Sequence, residues 1–381
     1  MAEPADPANP VTIFLAGGGT GGHLYPGIAV AEALRDAVPN VRPVFLCTTR
    51  EIDRIILGPT GFEFIPQPVV PRSHSIGGLL RFSRGLWSTF DLVRKLLREH
   101  KPAAVIGLGG YAAGVAVRLA AMKKVPTAIL NPDVVPGQAN QRLIKHVKAV
   151  CCQFDVTADY VNGSDRAKLQ VTGCPVRSDI RPDRPRGPAA ERLGLDPMLH
   201  TLTVTGASLG ARTVNEAVLA LLKDMTLKGW QVLHLSGREQ IDPVRAGYRD
   251  LPGVPARVID FTPDMADVWA ATDLAISRSG ASSCAELTAC GVPSLLMPYP
   301  YHKDMHQRVN AEQLANAGAA VLIDDEKDAR TNADKLRPAV ESLLYDADRR
   351  RRMAEAARVM GKPDAAAAVA KVVAELAGVG R

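Results

Sequence analysis

Residues 11–38 read VTIFLAGGGTGGHLYPGIAVAEALRDAV, which is a strand-like apolar run, a glycine-rich loop and a helix-like run in that order. The loop matches the template G-x-G-x-x-G through Gly17, Gly19 and Gly22. Glycine permits a close approach of the backbone to a ligand, and a helix that starts after such a loop directs its N–H groups at an anion. The stretch therefore predicts the first strand, loop and helix of a Rossmann-like sheet.

The same order of strand, glycine turn and helix continues through the first half of the chain. Short apolar runs alternate with amphipathic helical segments such as residues 28–38 and 112–122. This alternation is typical of a parallel sheet that helices cover on both faces. The further strand candidates are RPVFLCTT (42–49), FEFIPQPVV (62–70), AAVIGLG (103–109), PTAILN (126–131) and AVCCQF (149–154).

The character of the sequence changes over residues 175–200, which are rich in Pro, Arg and Asp and are predicted to form a linker. After it the strand rhythm restarts, so we predict two Rossmann-like α/β domains with parallel sheets that face an interdomain cleft, where ligands bind outside the carboxyl ends of the strands. The predicted division is a flexible N-terminus (1–10), an N-terminal Rossmann-like domain (11–176), a C-terminal Rossmann-like domain (177–360) and a C-terminal helix (361–381) that packs back on the N-terminal domain.

The composition of the 381-residue chain argues against several classes of protein. A formal net charge of +6 is a mild basic excess, and aromatic residues make up only 5%, so nucleic acid is not an expected partner. The six cysteines form no C-x-x-C pair, and MAEPADPANP at the start lacks the basic and apolar regions of a secretory signal. Residues 103–122 contain four glycines and Arg118, which fits a strand, turn and helix better than a membrane span.

The glycine loop by itself leaves a nicotinamide enzyme open. A dinucleotide site also needs an acidic residue about 20 residues further on, at the end of the second strand, to bind the ribose. That strand end reads FLCTTREID, in which Glu51 and Asp53 lie a few residues beyond the position expected for the acidic residue. Arg50 can hold a 2′-phosphate. An NADP-dependent oxidoreductase is therefore an alternative that uses only the first loop.

The second half of the chain carries a more specific pattern. TGASLGA (205–211) is another small-residue loop that enters a helix and can cradle a diphosphate. The stretch SRSGASSCAELTACGVPSLLMPYPYHKDMHQRVNA (277–311) contains a second such helix entry, with Glu286 within its first two turns. A carboxylate there can accept hydrogen bonds from both hydroxyls of a ribose. The polar segment YHKDMHQ suits sugar hydroxyls, and its histidines match no common zinc spacing.

In order and spacing these motifs resemble the MurG family of UDP-N-acetylglucosamine transferases. The matching pieces fall within residues 11–325 and include GGGTGGHLYPGIAVAEAL, GLGGYAAG, TGCPVR, TGASLGA and the stretch 277–311. The resemblance implies a GT-B fold and transfer of GlcNAc from UDP-GlcNAc to an undecaprenyl-diphosphate-linked muramoyl pentapeptide in peptidoglycan synthesis. It implies neither a metal nor a separate cofactor.

The resemblance also assigns site residues by position. By this resemblance, Ser208 and the helix entry at 281–286 bind the diphosphate. Glu286 binds the ribose, and Gln307 binds the GlcNAc hydroxyls. Arg177 is implied to reach the nucleotide sugar, the backbone near Thr262 the uracil, and Thr20, Gly21 and Gly22 the junction of the two substrates, with His23 and Tyr111 near the acceptor. The predicted substrate-binding set is Thr20, Gly21, Gly22, Tyr111, Asp133, Arg177, Ser208, Thr262, Arg278, Ala281, Ser282, Ser283, Cys284, Ala285, Glu286 and Gln307.

One loop departs from the family pattern. The family shows H-E-Q-N before V-P-G-x-A-N, whereas this chain reads LNPDVVPGQAN, with Asn131 at the glutamate position and Asp133 at the asparagine position. The motifs therefore support the identity of the nucleotide sugar better than the identity of the acceptor. A transferase of the same fold with another lipid or saccharide acceptor, and a non-catalytic nucleotide-sugar binding protein, are retained as alternatives.

The implied reaction is an inverting transfer, which needs a base to take the proton of the attacking hydroxyl. His23 is the first candidate, because imidazole changes its protonation near neutral pH, and Asp133 is the second. Helix N-termini and other fixed hydrogen-bond donors can stabilise the charge that develops on the leaving UDP.

A lipid-linked acceptor requires contact with a bilayer. Residues 72–101 carry seven basic side chains against two acidic ones, with leucine, phenylalanine and tryptophan between them. A basic amphipathic segment with aromatic residues can lie on an anionic membrane surface. We therefore predict a peripheral protein at the cytoplasmic face of the cell membrane.

Overall fold

A computed structural model describes residues 10–70, 76–206, 210–301 and 305–379 of the protein, with the side chains of residues 76, 79 and 80 left aside. The chain divides into two compact units. The first comprises residues 1–177 and 364–381, and the second comprises residues 178–363. Each unit contains one parallel β-sheet with helices packed around it.

The described residues form thirteen strands. Those of the first unit are β1 (Val11–Gly17), β2 (Val41–Thr48), β3 (Glu63–Gln67), β4 (Ala104–Gly109), β5 (Thr127–Asn131), β6 (Ala149–Cys152) and β7 (Leu169–Val171). Those of the second are β8 (His200–Thr205), β9 (Trp230–Leu235), β10 (Ala256–Ile259), β11 (Leu274–Ser277), β12 (Ser294–Leu296) and β13 (Ala320–Leu322).

The described residues also form fourteen α-helices. Those before the second unit are α1 (Gly21–Ala37), α2 (Glu51–Leu57), α3 (Ile76–His100), α4 (Gly110–Met122) and α5 (Gln138–Leu143). Those of the second unit are α6 (Arg186–Arg192), α7 (Arg212–Lys223), α8 (Ile241–Arg249), α9 (Met265–Ala271), α10 (Ala281–Cys290), α11 (His306–Asn316), α12 (Ala329–Tyr345) and α13 (Ala347–Met360). The last helix, α14 (Ala365–Leu376), belongs to the first unit.

The first sheet has the strand order β3-β2-β1-β4-β5-β6-β7. Strand β1, which lies between β2 and β4, is a mostly apolar run in which Ile13, Phe14 and Leu15 are fully buried, as a parallel strand covered on both faces requires. The carboxyl ends of β1 and β4 lead into the glycine loops that start α1 and α4. The predicted Rossmann-like sheet is confirmed for this unit.

Close packing of α1 on this sheet depends on a small residue. A Cβ on Gly27 would come within 2.4 Å of the Leu108 side chain, so α1 can approach β4 only where position 27 has no side chain. On the same side, Val369 and Val373 of α14 are buried in the core that α1 completes. The C-terminal helix is thus part of the hydrophobic core of the first unit.

The second sheet has the strand order β10-β9-β8-β11-β12-β13, with every pair parallel. The side chains of Val204, Leu274 and Ile276 are fully buried on its two central strands. The loops after β8, β11 and β12 all leave from the same edge, because carboxyl ends of parallel strands share one edge of a sheet. The second Rossmann-like sheet is therefore confirmed as well.

Residues 175–200 differ from the linker that their composition predicted. They contain helix α6, and residues from 178 onward pack in the second unit. Arg184 and Arg192 both form ion pairs with the buried carboxylate of Asp267, with N–O distances of 2.6 Å. These ion pairs, made with α9 far along the chain, explain why an arginine-rich segment is ordered.

Two further boundaries differ from the sequence prediction. Helix α1 begins at Gly21 and not at residue 28, because Thr20 keeps an extended backbone and acts as the N-cap of a helix that includes the last glycines of the loop. Strand β7 was not predicted, since it is only three residues long and is partly exposed. The remaining strands of the first unit agree with the predicted runs to within a few residues at each end.

Candidate active site

The glycine loop after β1 is held by a buried carboxylate. Asp53 of α2 is fully buried, and its Oδ1 accepts the backbone N–H of Gly19 at 2.7 Å. Its Oδ2 accepts the backbone N–H and the hydroxyl of Thr48, at 2.7 and 2.8 Å. A Cβ on Gly18 would lie 2.2 Å from Oδ2, so this loop and this carboxylate fit only if position 18 is glycine.

These contacts argue against a dinucleotide in the first loop. Asp53, one of the two acidic residues considered as a ribose ligand, reaches this loop, and its two carboxylate oxygens accept backbone N–H groups of the protein itself. Arg50, which could have held a 2′-phosphate, donates to the carbonyl oxygen of Gly19 at 3.0 Å. The residues that an NADP enzyme would need are thus engaged in fixing the shape of the loop.

His23 lies in the first turn of α1. Its Nδ1 is 3.1 Å from the carbonyl oxygen of Gly18 and 3.2 Å from the hydroxyl of Thr20. A carbonyl oxygen can only accept, so the bond to Gly18 places a proton on Nδ1 and leaves Nε2 of the neutral ring as a proton acceptor. A Cβ on Gly109 would lie 2.9 Å from Nε2, so the loop before α4 packs directly against the ring.

A cavity of about 1130 Å³ in the first unit brings several predicted residues together. His23, Tyr111 and Asp133 all line it. Its lining includes the apolar side chains of Phe82, Phe90, Val115, Leu119 and Met122 and the basic side chains of Arg118, Arg142, Lys145 and His146. The cavity therefore combines apolar and basic side chains, which suits a ligand that has both a hydrocarbon part and an anionic part.

The loop that departs from the family pattern is fixed by two buried amides. Asn131 donates to the carbonyl oxygen of Asp133 at 2.8 Å, and its own Oδ1 accepts the Asn140 amide at 3.0 Å. Asn140 also donates to the carbonyl oxygen of Leu130 at 3.0 Å. Its buried Oδ1 has no hydrogen-bond partner among the described residues. Asn131, which stands at the glutamate position, is therefore a structural residue of this loop.

In the second unit the predicted phosphate site is the start of α10. Gly280 is its N-cap with an extended backbone, and the partly exposed residues Ser282 and Ser283 lie in the first turn. The first turn of a helix presents backbone N–H groups and a partial positive charge to an anion. Cys284 and Ala285 have buried side chains, and the Cys284 N–H donates to the carbonyl oxygen of Gly280, so the predicted contact of these two residues with substrate remains a prediction.

Glu286 follows one turn later and is held by a buried indole. The Nε1–H of Trp269 donates to Oε2 of Glu286 at 2.7 Å, and Trp269 is only 2% exposed. The partly exposed carboxylate is thereby kept in one orientation beside the first turn of α10. This is the side chain that was predicted to bind a ribose.

Arg278 does not point toward a ligand as predicted. It is 4% exposed, and its Nη1 donates to the carbonyl oxygens of Met297 and Pro298 and to the carboxylate of Asp325 at 2.8–3.1 Å. Its Nη2 donates to the Thr213 hydroxyl at 2.7 Å. The guanidinium therefore ties together the loops after β11, β12 and β13 and the start of α7, and it acts on the site by holding these loops.

The partner of Arg278 is kept ionised by its surroundings. Burial alone would raise the pKa of the Asp325 carboxyl, but hydrogen bonds from Thr213, Asn332 and the Lys327 backbone outweigh burial, and its pKa is lowered. Burial also lowers the pKa of Arg278, and the ion pair with Asp325 opposes that effect. A charged pair with these hydrogen bonds is a rigid support for the surrounding loops.

Gln307 lies at the start of α11 and faces the loop before α10. Its Oε1 accepts the backbone N–H of Tyr299 at 3.0 Å, and its own carbonyl oxygen accepts the Ser279 hydroxyl at 2.8 Å. Its Nε2 is 3.9 Å from the place that a Cβ on Gly280 would occupy. The amide is thus oriented with its N–H groups toward the N-terminus of α10, where they can donate to a sugar oxygen.

Three further residues were predicted to bind the nucleotide sugar, namely Thr262, Arg177 and Ser208. Thr262 is largely buried, and its hydroxyl accepts the backbone N–H of Asp264 at 3.0 Å, which forms the turn before α9. Arg177 ends the first unit, with its guanidinium carbon 5.4 Å from the centre of the Tyr25 ring. Ser208 lies outside the described residues. The predicted contact of Arg177 with a nucleotide sugar remains a prediction.

Within the predicted membrane segment, residues 76–100 form one long helix, α3, and residues 72–75 lie outside the described residues. Val93, Leu96 and Leu97 of its second half are buried, whereas Leu86 and Trp87 are 38% and 70% exposed. The basic residues Arg81, Arg84, Arg94, Lys95 and Arg98 are also exposed. Within the described residues no helix combines the length and the hydropathy that a bilayer crossing demands.

Known proteins match this chain in both of its units. The N-terminal domain model of glycosyltransferase family 28 matches residues 13–152, and the C-terminal domain model of that family matches residues 201–369. A UDP-N-acetylglucosamine–N-acetylmuramyl-(pentapeptide) pyrophosphoryl-undecaprenol N-acetylglucosamine transferase of Halothermothrix orenii is 34% identical over 362 residues, which cover 92% of this chain and 95% of the relative. The transferase of the same name from Desulforudis audaxviator is 33% identical over 97% of this chain and 99% of its own.

A solved structure is similar over the same extent. The crystal structure of Acinetobacter baumannii MurG matches 96% of this chain and all of its own, with a TM-score of 0.75 and 25% sequence identity. The chain belongs to the MurG family. Membership in the MurG family makes it a glycosyltransferase, so the predicted enzyme class is confirmed, and so is the predicted GT-B fold of two Rossmann-like domains.

The structure adds two residues to the site that the MurG resemblance did not supply. Asp53 came to notice in the sequence only as a late candidate for a ribose ligand, and Trp269 gave no signal beyond its place in a helical run. Both side chains are buried. Asp53 accepts a hydrogen bond from Gly19, which is 34 residues away in the sequence, and Trp269 donates one to Glu286, which is 17 residues away.

Proposed function

We propose that the protein transfers GlcNAc from UDP-GlcNAc to an undecaprenyl-diphosphate-linked N-acetylmuramoyl pentapeptide, in the synthesis of peptidoglycan. The observation that carries the proposal is the pair of fixed side chains around the start of α10. Glu286 is oriented by Trp269, and Gln307 is oriented by the Tyr299 backbone. A helix N-terminus with a carboxylate and an amide beside it can accept the diphosphate, the ribose and the sugar of one nucleotide sugar. The names of the relatives support the same pair of substrates.

The nucleotide sugar binds to the second unit. The N–H groups at the start of α10 hold the diphosphate, Glu286 accepts hydrogen bonds from the ribose, and Gln307 donates to a hydroxyl of GlcNAc. The backbone around Thr262 contacts the uracil. Arg278 keeps the loops after β11 and β12 in place through the carbonyl oxygens of Met297 and Pro298. Because the protein groups are already oriented, they need little rearrangement as charge develops on the leaving group.

The acceptor binds to the first unit. The cavity lined by His23, Tyr111 and Asp133 has room for a muramoyl sugar and its diphosphate, and the arginine and lysine side chains in its lining supply positive charge. The apolar side chains of the lining include Phe82 and Leu86 of α3. Its mixture of apolar and cationic groups is what a lipid diphosphate requires.

The chemical step is a displacement at C1 of the sugar. An acceptor hydroxyl forms the new C1–O bond on the face opposite the leaving group, the C1–O bond to UDP breaks, and the electron pair of that bond passes to the β-phosphate oxygen. Nε2 of His23 takes the proton of the attacking hydroxyl, since its Nδ1 proton is donated to Gly18. The α-linked GlcNAc of the nucleotide becomes β-linked in the product. A positioned base of this kind contributes about 10²–10⁴ in rate.

The protein attaches peripherally to the cytoplasmic face of the cell membrane through α3. Leu86 and Trp87 enter the interface between headgroups and acyl chains, and the exposed arginines of the same helix bind anionic headgroups. The double variant Leu86→Glu with Trp87→Glu is expected to lose binding to vesicles of anionic lipid. Met198→Glu is the matched control, because Met198 is 88% exposed in the second unit. Equal vesicle binding by the double variant and the control would refute this attachment site.

The function is tested by release of UDP from UDP-GlcNAc, with and without a short-chain lipid-linked muramoyl pentapeptide. Release that depends on this acceptor and is much slower with UDP-glucose is the expected result. Binding of UDP-GlcNAc without acceptor-dependent release would overturn the proposed acceptor and would favour a different lipid or saccharide. The departure from the family pattern at residues 130–133 is the reason to consider such an acceptor. Failure to bind UDP-GlcNAc would overturn the proposed function as a whole.

A further inference from the structure

Trp269 lies beneath the ribose-binding carboxylate and does not itself reach the surface. It is 2% exposed, and its indole N–H donates to Oε2 of Glu286 at 2.7 Å. We propose that Trp269 is a positioning residue that orients Glu286 and thereby sets the preference of the enzyme for ribonucleotides over deoxyribonucleotides. This inference rests on the proposed binding of UDP-GlcNAc to the second unit.

The geometry explains how one bond can control the carboxylate. A glutamate side chain has three rotatable bonds, so an unsupported carboxylate would sample several orientations beside α10. A hydrogen bond from a buried indole to a charged oxygen is short and strong, and it selects one of these orientations. A carboxylate has about four lone-pair sites, so the bond from the indole leaves it able to accept hydroxyl groups of a ribose.

The indole is itself held in place by the helix that carries it. Trp269 belongs to α9, and Asp267 of the same helix forms ion pairs with Arg184 and Arg192 at 2.6 Å. Hydrogen bonds from Arg192 lower the pKa of Asp267 to about 2, so this carboxylate is charged at neutral pH. The arginine-rich segment before β8 thus fixes α9, and α9 fixes the indole.

The same helix follows the turn that was predicted to meet the uracil. Thr262 forms that turn through its bond with the Asp264 N–H, and Asp264 is the N-cap of α9. A single short helix therefore connects the base-side loop with the residue that holds the ribose carboxylate. Trp269 is the member of this helix whose polar atom reaches Glu286.

The test compares the affinities of the full-length protein for UDP and 2′-deoxy-UDP by calorimetry. The wild type is expected to bind UDP about tenfold or more tightly than 2′-deoxy-UDP, because the deoxynucleotide lacks one hydroxyl that a charged group accepts. Trp269→Phe keeps the aromatic packing and removes the N–H, and it is expected to reduce the preference to about threefold or less. Trp230→Phe is the matched control, since Trp230 is a buried tryptophan of the same unit that packs on His200 and Arg350.

Steady-state kinetics provide a second readout. Loss of a bond that acts on the bound nucleotide throughout the reaction is expected to raise KM for UDP-GlcNAc and to leave kcat within about twofold. In the double variant with Glu286→Gln, removal of the indole N–H is expected to have no further effect on the UDP preference. A Trp269→Phe protein that is folded and keeps the wild-type preference would overturn the inference.

The inference and the proposed function fail in different ways. If the wild type does not bind UDP, the proposed function is wrong. If the wild type binds UDP and discriminates against 2′-deoxy-UDP while Trp269→Phe does so equally well, only the inference is wrong. Should Trp269→Phe fail to fold, the indole N–H resonance of Trp269 can be assigned by elimination from Trp87→Phe and Trp230→Phe, since the chain has three tryptophans. It is expected to shift more with UDP than with 2′-deoxy-UDP, and equal shifts would refute the inference.

Discussion

The carboxylate of Asp53 accepts the backbone N–H of Gly19 at 2.7 Å, although 34 residues separate the two along the chain. Its other oxygen accepts the N–H and the hydroxyl of Thr48, so one buried side chain joins the ends of β1 and β2. In a dinucleotide-binding protein an acidic residue near this place would hold a ribose. Here the acidic residue holds the glycine loop that positions His23, and it does not serve as a ribose ligand of a dinucleotide.

Replacement of Asp53 tests this assignment. Asp53→Asn keeps the size of the side chain but turns one of its acceptor atoms into a donor that faces backbone N–H groups. We expect the free energy of unfolding to fall by about 1–3 kcal/mol and kcat to fall as the loop loses its shape. Asp36→Asn, on the exposed side of α1, is the control and is expected to stay within about 0.5 kcal/mol of the wild type. Urea unfolding and turnover measure both, and an unaffected Asp53→Asn enzyme would contradict the assignment.

His23 is expected to act as the base through Nε2. His23→Ala should reduce kcat by about 10²–10⁴ while changing KM for UDP-GlcNAc little, because we propose that the nucleotide sugar binds to the other unit. The measurement is kcat at saturating UDP-GlcNAc for His23→Ala and for Asp133→Asn. If Asp133→Asn and not His23→Ala causes the loss of this size, Asp133 is the base.

The sequence was sufficient for the parts of the fold that depend on local patterns. Strands such as β1 and β4 are mostly apolar runs that end in glycine, and α10 begins at a small-residue turn, so each can be predicted without knowledge of the tertiary structure. Helix α6 was not predicted, because its residue Arg192 is held by Asp267, which lies 75 residues further along the chain. The composition of that segment reveals its charges, but it does not reveal that Asp267 binds them.

The candidate site divides in the same way. Glu286 and Gln307 could be found from motifs, since their spacing from the glycine turn is part of the pattern. The supports of the site could not, because Trp269 and Arg278 act through side-chain contacts that only the tertiary structure brings together. The resemblance placed Arg278 in the substrate-binding set, whereas in the structure only 4% of its surface is exposed and its guanidinium donates to groups of the surrounding loops.

A buried histidine is expected to make the second unit sensitive to acid. His234 is fully buried, with Nε2 3.0 Å from Oδ1 of Asn215 and Nδ1 2.9 Å from the Tyr248 hydroxyl. The Asn215 amide donates to the Ser236 carbonyl oxygen, which fixes its Oδ1 as the acceptor of the His234 Nε2 proton. The neutral ring is thus fully satisfied, and burial lowers the pKa of His234 to about 3.

The sign of the effect follows from proton binding. In the unfolded chain His234 titrates near its ordinary pKa of 6.5, whereas in the folded chain it stays neutral down to about pH 3. Between these values the unfolded state binds more protons, so stability decreases as pH falls, by up to about 1.4 kcal/mol per pH unit. His234→Gln keeps an N–H for Asn215 and is expected to reduce this slope between pH 6.5 and 4.5. Tyr248→Phe leaves the imidazole in place and should retain the slope, and an unchanged slope in His234→Gln would refute the prediction.

Gly109 determines where the imidazole of His23 can lie. Its φ of +115° is one that residues with a side chain rarely adopt, and a Cβ there would come within 2.8 Å of His23 Cδ2 and 2.9 Å of Nε2. Gly109→Ala is therefore expected to displace the ring and to lower kcat, with a moderate loss of stability. Gly187→Ala, where an added Cβ meets nothing within 4 Å among the described residues, is the control and should retain full turnover.

The decisive comparison for Gly109 is a double-mutant cycle. If the substitution acts by moving His23, then adding Gly109→Ala to His23→Ala should cause little further loss of kcat, because the displaced group is already absent. If it acts by a general disturbance of the loop before α4, the two losses should multiply. Turnover numbers for the four proteins, measured at saturating UDP-GlcNAc, separate these outcomes. Independent effects would show that the ring of His23 is not what Gly109 accommodates during the reaction.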